Sequence, residues 1–286
     1  MRVGASPTIP IGIVGVQLIL CDAKYYVTWC PSVADKLKEK NISKGVDESF
    51  CLWYNIYSKE KELFKMGIPK HYYLMVDTET CGGLENPYVY DLGMAIVDRK
   101  GKVYAQYSFV IADVFYGMAD LMQTAYYAEK IPMYREDIKN GKRKVIDFYT
   151  ANRVARELIK RWNVTAVVAH NARFDNNALN NTATFLNGKK SYFFPYGVPF
   201  WCTLAMAKQI YSKRPTYIDY CKENGYLCKN GTPRLTAEIL YRFIMHDKTF
   251  TESHTGLEDV MIEKEILVHI LRQHKKIRRT YYCERA

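Results

Sequence analysis

The chain has 286 residues, 48% of them hydrophobic, so it can bury a substantial core without disulfide bonds. Its 41 lysines and arginines exceed 30 aspartates and glutamates and leave a net charge of +11. This surplus favours a polyanionic partner, nucleic acid before membrane, although a soluble protein that is simply basic would have the same composition. The eight cysteines show no Cys-x-x-Cys spacing, which predicts a reduced, cytoplasmic protein.

The first 70 residues differ in composition from the rest and are predicted to form an N-terminal accessory segment. A mostly apolar run over 9–20 superficially resembles a secretion signal, but two glycines interrupt it and it is too short to span a bilayer. We interpret it as a strand or a packing segment. Helices are predicted over 32–40 and 54–66. Three roles fit the segment: contact with DNA, binding of a partner, and structural support of the main domain.

A pattern of strands begins at residue 71. An apolar β run over 71–77 ends in a carboxylate, and a glycine-containing turn joins two further predicted strands, 89–98 and 102–111. Residues 112–148 form an insertion rich in tyrosine and lysine. Beyond it, helices are predicted over 150–162, 174–186, 203–211, 235–245 and 257–272, and strands over 164–169 and 198–201. This order predicts an α/β domain with a mixed sheet, which ends at residue 274, and a basic tail over 275–286.

Asp77 and Glu79 are the first candidate site residues, because they stand two residues apart where the apolar run ends. In a strand their side chains share one face, roughly 7 Å apart along the chain. Two such carboxylates repel each other, so the pair requires a cation or protonation. Oxygen ligands favour Mg²⁺ or Mn²⁺ over zinc. The alternative is a solvated Asp-x-Glu at a strand end, a pattern that is common by chance.

Asp175 is the next candidate. It follows the predicted strand 164–169 and falls near the start of the next helix. Open α/β sheets place their sites at such strand ends, which favours a site role. The alternative is that Asp175 caps the helix, although Asn171 is the better cap candidate.

His254 and Asp259 lie at the start of the last predicted helix. Asp259 projects from the first turn of that helix, and His254 lies on the loop that enters it. Glu258 points about 100° away from Asp259 on the helix and is therefore expected to be solvated. A lone histidine is more often a surface or capping residue, but its closeness to a predicted carboxylate ligand favours a functional role.

Three segments, taken in order, carry a resemblance to a known family. They are Val-Asp-Thr-Glu-Thr at 76–80, His-Asn-Ala-Arg-Phe-Asp at 170–175, and His254 with Asp259. They resemble the three motifs of the DEDDh exonuclease superfamily, which includes RNase T and the proofreading subunit of bacterial replicative polymerase. The resemblance covers about residues 72–271 and implies an RNase H-like fold with a mixed five-stranded sheet. The arrangement also resembles phage-encoded exonucleases, which implies action in a bacterial host cytoplasm.

The same resemblance implies residue roles. Two Mg²⁺ or Mn²⁺ ions would be held by Asp77, Glu79, Asp175 and Asp259, with His254 as the general base. The residues expected to hold the terminal nucleotide are Thr78, Thr80, Leu84 and Asn171. Two positions depart from the family pattern: Asp91 stands where family members usually carry Glu, and Cys202 replaces an Asp that is not a metal ligand.

The insertion adds a second prediction. Over 115–148, aromatic residues alternate with basic ones, a combination that binds single-stranded nucleic acid through base stacking and phosphate contacts. An amphipathic pair of helices with a solvated basic turn over 140–144 is an equal alternative. The basic residues concerned are Lys130, Arg135, Lys139, Lys142, Arg143 and Lys144.

We therefore predict a 3′–5′ exonuclease that acts on single-stranded DNA or on the 3′ ends of duplex DNA, with a polymerase or other replication protein as a candidate partner and no membrane contact. An exoribonuclease of the same chemistry and a non-catalytic nucleic-acid-binding or polymerase-binding module are the alternatives. The intact set of five acting residues argues against the non-catalytic module. The sequence does not separate DNA from RNA, because local contacts read the 2′-hydroxyl.

Overall fold

The structure is a computed structural model, and the chain divides into two compact units, Met1–Gly67 and Ile68–Ala286. The residues that it describes are 18–21, 24–27 and 71–283. In the first unit, strand β1 (Leu18–Cys21) pairs antiparallel with strand β2 (Lys24–Val27). The predicted helices over 32–40 and 54–66, and most of the apolar run over 9–20, lie outside the described residues.

A mixed sheet organises the second unit. Its strands are β3 (Tyr72–Cys81), β4 (Tyr88–Asp98), β5 (Val103–Ile111), β6 (Lys144–Ile146), β7 (Ala166–Ala169), β8 (Pro199–Cys202) and β9 (Thr280–Cys283). Their order across the sheet is β6-β5-β4-β3-β7-β8-β9. Strands β3, β4 and β5 form an antiparallel meander, while β7 and β8 run parallel to β3.

The predicted α/β fold with a mixed sheet is confirmed, and the five predicted strands form its centre. The sheet described here has seven strands, because β6 and β9 each add an edge. Strand β6 is only three residues long and lies inside the insertion, and β9 lies in the basic tail. Neither segment has the alternating apolar pattern that identifies a strand in the sequence, so their pairing depends on the neighbouring strand.

Helices cover both faces of this sheet. They are α1 (Ala112–Phe115), α2 (Ala119–Met122), α3 (Ile131–Lys139), α4 (Phe148–Arg161), α5 (Ala172–Asn187), α6 (Thr203–Tyr211), α7 (Pro215–Glu223), α8 (Ala237–Met245) and α9 (Gly256–Arg272). A core of buried residues from β3, β4, α6, α8 and α9 fills one face, where Tyr73 and Met75 of β3 lie. The alternate residues Leu74 and Val76 point to the other face, where α5 contacts β3 and β4.

Asp147 explains why α4 begins where it does, because its carboxylate accepts a 2.8 Å hydrogen bond from the Thr150 amide as an N-cap. Helix α9 has buried apolar residues such as Ile266 and Ile270 along most of its length, as expected for a helix in contact with the sheet. Within the part of the chain that the structure describes, no helix has the length and apolar character needed to cross a membrane.

The start of α9 crosses β4 at a contact between two glycines. A Cβ atom added to Gly93 would lie 2.1 Å from the carbonyl carbon of Gly256, and one added to Gly256 would lie 2.6 Å from the Gly93 nitrogen. The Gly256 amide donates a 2.9 Å hydrogen bond to Asp91 Oδ2 in the same strand. The backbone of α9 therefore touches the sheet directly, three residues before Asp259.

Substitution of Gly93 by alanine tests this crossing. We expect Gly93→Ala to lower the free energy of unfolding by about 3 kcal/mol or more, because the methyl group overlaps backbone atoms that cannot move aside. Urea denaturation followed by circular dichroism measures it. Gly231→Ala is the control: Gly231 has φ +77° and open space around it, so only left-handed strain of about 1–2 kcal/mol is expected. Equal losses in the two variants would contradict the close crossing.

Candidate active site

Three of the predicted metal ligands meet at the carboxyl end of β3. Carboxylate oxygens of Asp77, Glu79 and Asp259 lie within 4.8 Å of one another. Asp77 and Glu79 follow the buried residues 72–76 of β3, and Asp259 projects from the first turn of α9 after the glycine crossing. The three side chains thus come from two elements that the packing of α9 against the sheet brings together.

The fourth predicted ligand, Asp175, lies in the first turn of α5 and is buried. Its Oδ1 accepts a 2.9 Å hydrogen bond from the Thr78 hydroxyl. Because Thr78 stands between Asp77 and Glu79 in β3, this bond holds the start of α5 beside the pair. The charge of Asp175 is also among the causes that raise the pKa of Asp77.

Two further carboxylates lie at the site and were not selected from the sequence. Glu252 offers an oxygen within 4.8 Å of ligand atoms of both His254 and Asp259. Glu263 is buried one helical turn after Asp259, and its Oε2 accepts a 3.1 Å hydrogen bond from the His170 amide. The four-residue spacing of Asp259 and Glu263 on one helix face was a usable sequence signal. Glu252 had only its closeness to the histidine.

Burial and mutual repulsion both disfavour ionisation of these carboxyl groups. Burial is the largest cause in each case and raises the pKa of Asp175 to about 7 and those of Glu79 and Asp259 to about 8. The pKa of Asp77 is also raised, by burial and then by the charges of its neighbours. Lys130 acts in the opposite direction on Glu79 and Asp259. A crowded set of oxygen donors with excess negative charge fits hard divalent cations such as Mg²⁺ or Mn²⁺.

The imidazole of His254 lies beside these carboxylates and is held by the insertion. Its ring stacks on Tyr127, with centroids 4.4 Å apart and planes 14° from parallel. Lys130 Nζ donates hydrogen bonds to the carbonyls of Ser253 (2.6 Å) and His254 (3.3 Å), and His254 Nδ1 lies 3.9 Å from Glu252 Oε2. Burial, and then the charge of Lys130, lower the pKa of His254. The imidazole is therefore neutral at neutral pH and able to accept a proton.

A buried ion network connects the insertion to the first turn of α9. The Arg143 side chain is 1% exposed, and its nitrogens lie 3.3 Å from Asp91 Oδ2, 3.0 Å from Asp137 Oδ2 and 3.1 Å from Glu258 Oε2. Tyr134 also donates a 2.6 Å hydrogen bond to Asp91. Glu258, which was predicted to be solvated, is 36% exposed, but it also pairs with Arg143, which the sequence did not indicate. Of the two alternatives for the basic residues of the insertion, phosphate contact does not apply to Arg143, because its guanidinium is enclosed by carboxylates.

The residues predicted to hold the terminal nucleotide lie on two segments beside the carboxylates. Thr78 and Thr80 belong to β3, Leu84 lies in the turn after it with its side chain 88% exposed, and Asn171 precedes α5. Asn171 occupies the N-cap position of α5 with φ +65°, but its side chain makes no capping hydrogen bond, so the predicted capping role was wrong. The left-handed backbone there explains the asparagine instead. Cys202 caps α6, with its Sγ accepting from the Ala205 amide.

No protein-family model and no curated protein matches this chain. Among solved structures, Exonuclease X in complex with 5′ overhanging duplex DNA aligns with 71% of this chain and 92% of its own, at 16% identity and a TM-score of 0.35. E. coli Exonuclease I in complex with dA16 or dT13 aligns with 72% of this chain, at 16% and 15% identity and TM-scores of 0.43 and 0.41. The aligned region spans 41% of the Exonuclease I chain.

The buried network predicts an asymmetry between two adjacent basic residues. Arg143→Met should lower the free energy of unfolding by about 3 kcal/mol, because it leaves buried Asp91 without its cation. Lys142→Met is the matched control, since Lys142 pairs with the same Asp137 and Glu258 but is 58% exposed. Lys142→Met should lower the free energy of unfolding by no more than about 1 kcal/mol. Chemical denaturation compares the two, and similar losses would argue against the buried network.

The raised pKa values predict how stability depends on pH in metal-free protein. Protonated Glu79 and Asp259 favour folding, and this contribution is complete near pH 4 and lost as the pH rises through about 8. In EDTA, Glu79→Gln should therefore melt at a higher temperature than the wild type at pH 8. Added Mg²⁺ should raise the melting temperature of the wild type more than that of Glu79→Gln.

Exposed Glu223 at the end of α7 provides the control for this experiment. Glu223→Gln should follow the wild type in EDTA and in Mg²⁺ at each pH. If Glu79→Gln also followed the wild type under both conditions, the carboxylates would not repel one another and would not bind the ion as a group.

Proposed function

We propose that this chain hydrolyses phosphodiester bonds at the 3′ ends of nucleic acid, with DNA as the favoured substrate. The observation that carries the proposal is the meeting of Asp77, Glu79 and Asp259 within 4.8 Å, with Asp175 tied to the same strand through Thr78. A neutral histidine stands beside them. A site with this donor set suits metal-assisted hydrolysis of a charged ester, and a chain of net charge +11 suits a polyanionic substrate.

Asp77, Glu79, Asp175 and Asp259 would hold Mg²⁺ or Mn²⁺, two ions by the DEDDh resemblance, which supply the positive charge that stabilises the transition state and lowers the pKa of a bound water. Glu252 and Glu263 add negative charge around this set. The repulsion between these carboxylates is unfavourable in the metal-free protein and would be offset by bound divalent cations.

His254 is the proposed general base. Its Nδ1 faces Glu252, which leaves Nε2 as the nitrogen that takes a proton from the attacking water. The Glu252 carboxylate then lies where it can balance the charge of the imidazolium. Stacking on Tyr127 and the hydrogen bonds from Lys130 hold the ring and its backbone in this orientation.

The terminal nucleotide would bind against the turn that follows β3. Leu84 presents an exposed apolar surface to a base or sugar, and Gly82 and Gly83 both have positive φ, so the backbone can approach the ligand closely. Thr80 and Asn171 offer polar groups on either side. Thr78, which is buried, acts through its hydrogen bond to Asp175.

A nuclease assay tests the proposal. Single-stranded DNA and RNA labelled at the 5′ end should shorten stepwise from the 3′ end in Mg²⁺ or Mn²⁺, and EDTA should stop the reaction. His254→Ala should lower kcat by about 10²–10⁴-fold and abolish the loss of rate at low pH that protonation of the imidazole causes. Asp77→Asn should remove measurable activity.

Lys229→Gln, which changes an exposed residue in the turn after α7, is the control and should match the wild type. Persistent cleavage by Asp77→Asn would exclude this site as the source of the activity. Internal cuts in place of a stepwise ladder would exclude an exonuclease, and a rate for His254→Ala that equals the wild-type rate across pH would remove the histidine from the mechanism.

A further inference from the structure

A groove of about 900 Å³ lies between the start of α4 and the segment that follows α5. None of the predicted site residues lines it. We call it the tyrosine groove and define it by Tyr149, Asn152, Arg156, Lys190, Tyr192 and Tyr196. Its three tyrosines are all exposed, and Tyr149 is 72% exposed.

Exposed apolar side chains concentrate at this groove. Of the ten large hydrophobic residues that are exposed in the described part of the chain, five line or adjoin it: Tyr149, Phe185, Leu186, Tyr192 and Tyr196. Such a concentration on a soluble surface marks an interaction site more often than chance exposure does. Because most of these side chains are aromatic, their rings can stack on flat ligand groups.

The wall of the groove that follows α5 belongs to a segment with an unusual charge. Residues 176–218 contain five lysines and arginines and no aspartate or glutamate. Arg156 on the opposite wall donates hydrogen bonds to the carbonyls of Tyr192 (2.7 Å) and Phe194 (3.3 Å) and to Asn152 Oδ1. These acceptors are neutral, so they position the guanidinium without cancelling its charge. The groove therefore combines rings with cationic groups.

Two carboxylates also line the groove, and both serve the start of α4. Asp113 accepts a 2.6 Å hydrogen bond from the Phe148 amide, and Asp147 accepts from the Thr150 amide and hydroxyl. Their charge is directed at a helix N-terminus, where the helix dipole partly offsets it. Both carboxylates therefore accept hydrogen bonds from the start of α4.

Helix α5 connects the carboxylate site with the groove. Helix α5 starts at the site with Asp175 and reaches the groove at Leu186, eleven residues or about 17 Å further on. Every fourth residue on its outer side is cationic, amide or aromatic: Arg173, Asn177, Asn181 and Phe185. Phe185 packs on Tyr88, which follows the turn that carries Leu84. Helix α5 contains no aspartate or glutamate after Asp175.

We propose that the tyrosine groove binds the single-stranded nucleic acid that runs 5′ from the 3′ end held at the carboxylates. Bases stack on its tyrosines, and phosphates lie near Arg156 and Lys190. The inference rests on the proposed function, which supplies the strand and its direction. Stacking accepts every base, so the groove favours single strands over duplex without reading their sequence. Oligonucleotides that are too short to extend along α5 do not reach the groove and gain no affinity from it.

Binding of labelled oligonucleotides tests the groove separately from hydrolysis. Fluorescence anisotropy with dT3 and dT15, in Ca²⁺ to prevent cleavage, compares the wild type with Tyr149→Ala/Tyr192→Ala. We expect the double variant to bind dT15 at least fivefold more weakly and dT3 as the wild type does. Tyr149→Phe/Tyr192→Phe keeps both rings and should retain wild-type affinity. Met245→Ala removes an exposed apolar side chain from α8 and is the control.

Activity then separates this proposal from the proposed function. In Mg²⁺ the double alanine variant should show a raised KM for dT15, an unchanged kcat, and unchanged hydrolysis of dT3. Hydrolysis by the wild type together with equal dT15 affinity in all variants would overturn the groove, which would then serve another occupant such as a peptide, and leave the exonuclease standing. Weaker dT15 binding without hydrolysis under any condition would support the groove and overturn the proposed function.

Discussion

The attachment of α9 to β4 is the constraint on which the rest of the site depends. Gly93 and Gly256 bring the two backbones into direct contact, and the Gly256 amide bonds to the buried carboxylate of Asp91. That contact determines the position along β4 at which α9 begins. Asp259 in its first turn and His254 in the loop before it can reach the end of β3 only because the helix begins there.

The site concentrates negative charge at this point at the expense of stability. Burial and neighbouring carboxylates raise the pKa values of Asp77, Glu79 and Asp259, and the nearby cation Lys130 offsets only part of the effect. By contrast, the carboxylate of Asp91, directly opposite Glu79 in the sheet, is paired with Arg143. Of these two facing acidic positions, Asp91 is paired with a buried arginine, whereas the carboxylate of Glu79 faces those of Asp77 and Asp259.

Several aromatic and basic residues of the insertion support the site from within the fold. Its aromatic and basic residues were compatible with a strand-binding surface or with an amphipathic pair of helices. In the structure, Tyr127 stacks on His254, Lys130 bonds to the loop that carries the histidine, and Arg143 is buried in the ion network. Three exposed tyrosines lie instead at the start of α4 and in the segment that follows α5. The composition showed that the insertion contains aromatic and cationic side chains. It could not show which of these side chains fold inward, because most of their partners, such as His254, Ser253, Asp91 and Glu258, lie more than fifty residues away in the chain.

The sequence by itself determined the α/β class, the five central strands and the order of the acidic motifs, because apolar periodicity and strand-end carboxylates are local properties. The pairings of β6 and β9, the hydrogen bond from the His170 amide to Glu263, and the burial of Arg143 between Asp91 and Glu258 were decided by tertiary structure. Each of these depends on a partner distant in the chain. The sequence identifies a carboxylate but not its surroundings, because only packing determines whether it faces water, an arginine or a metal.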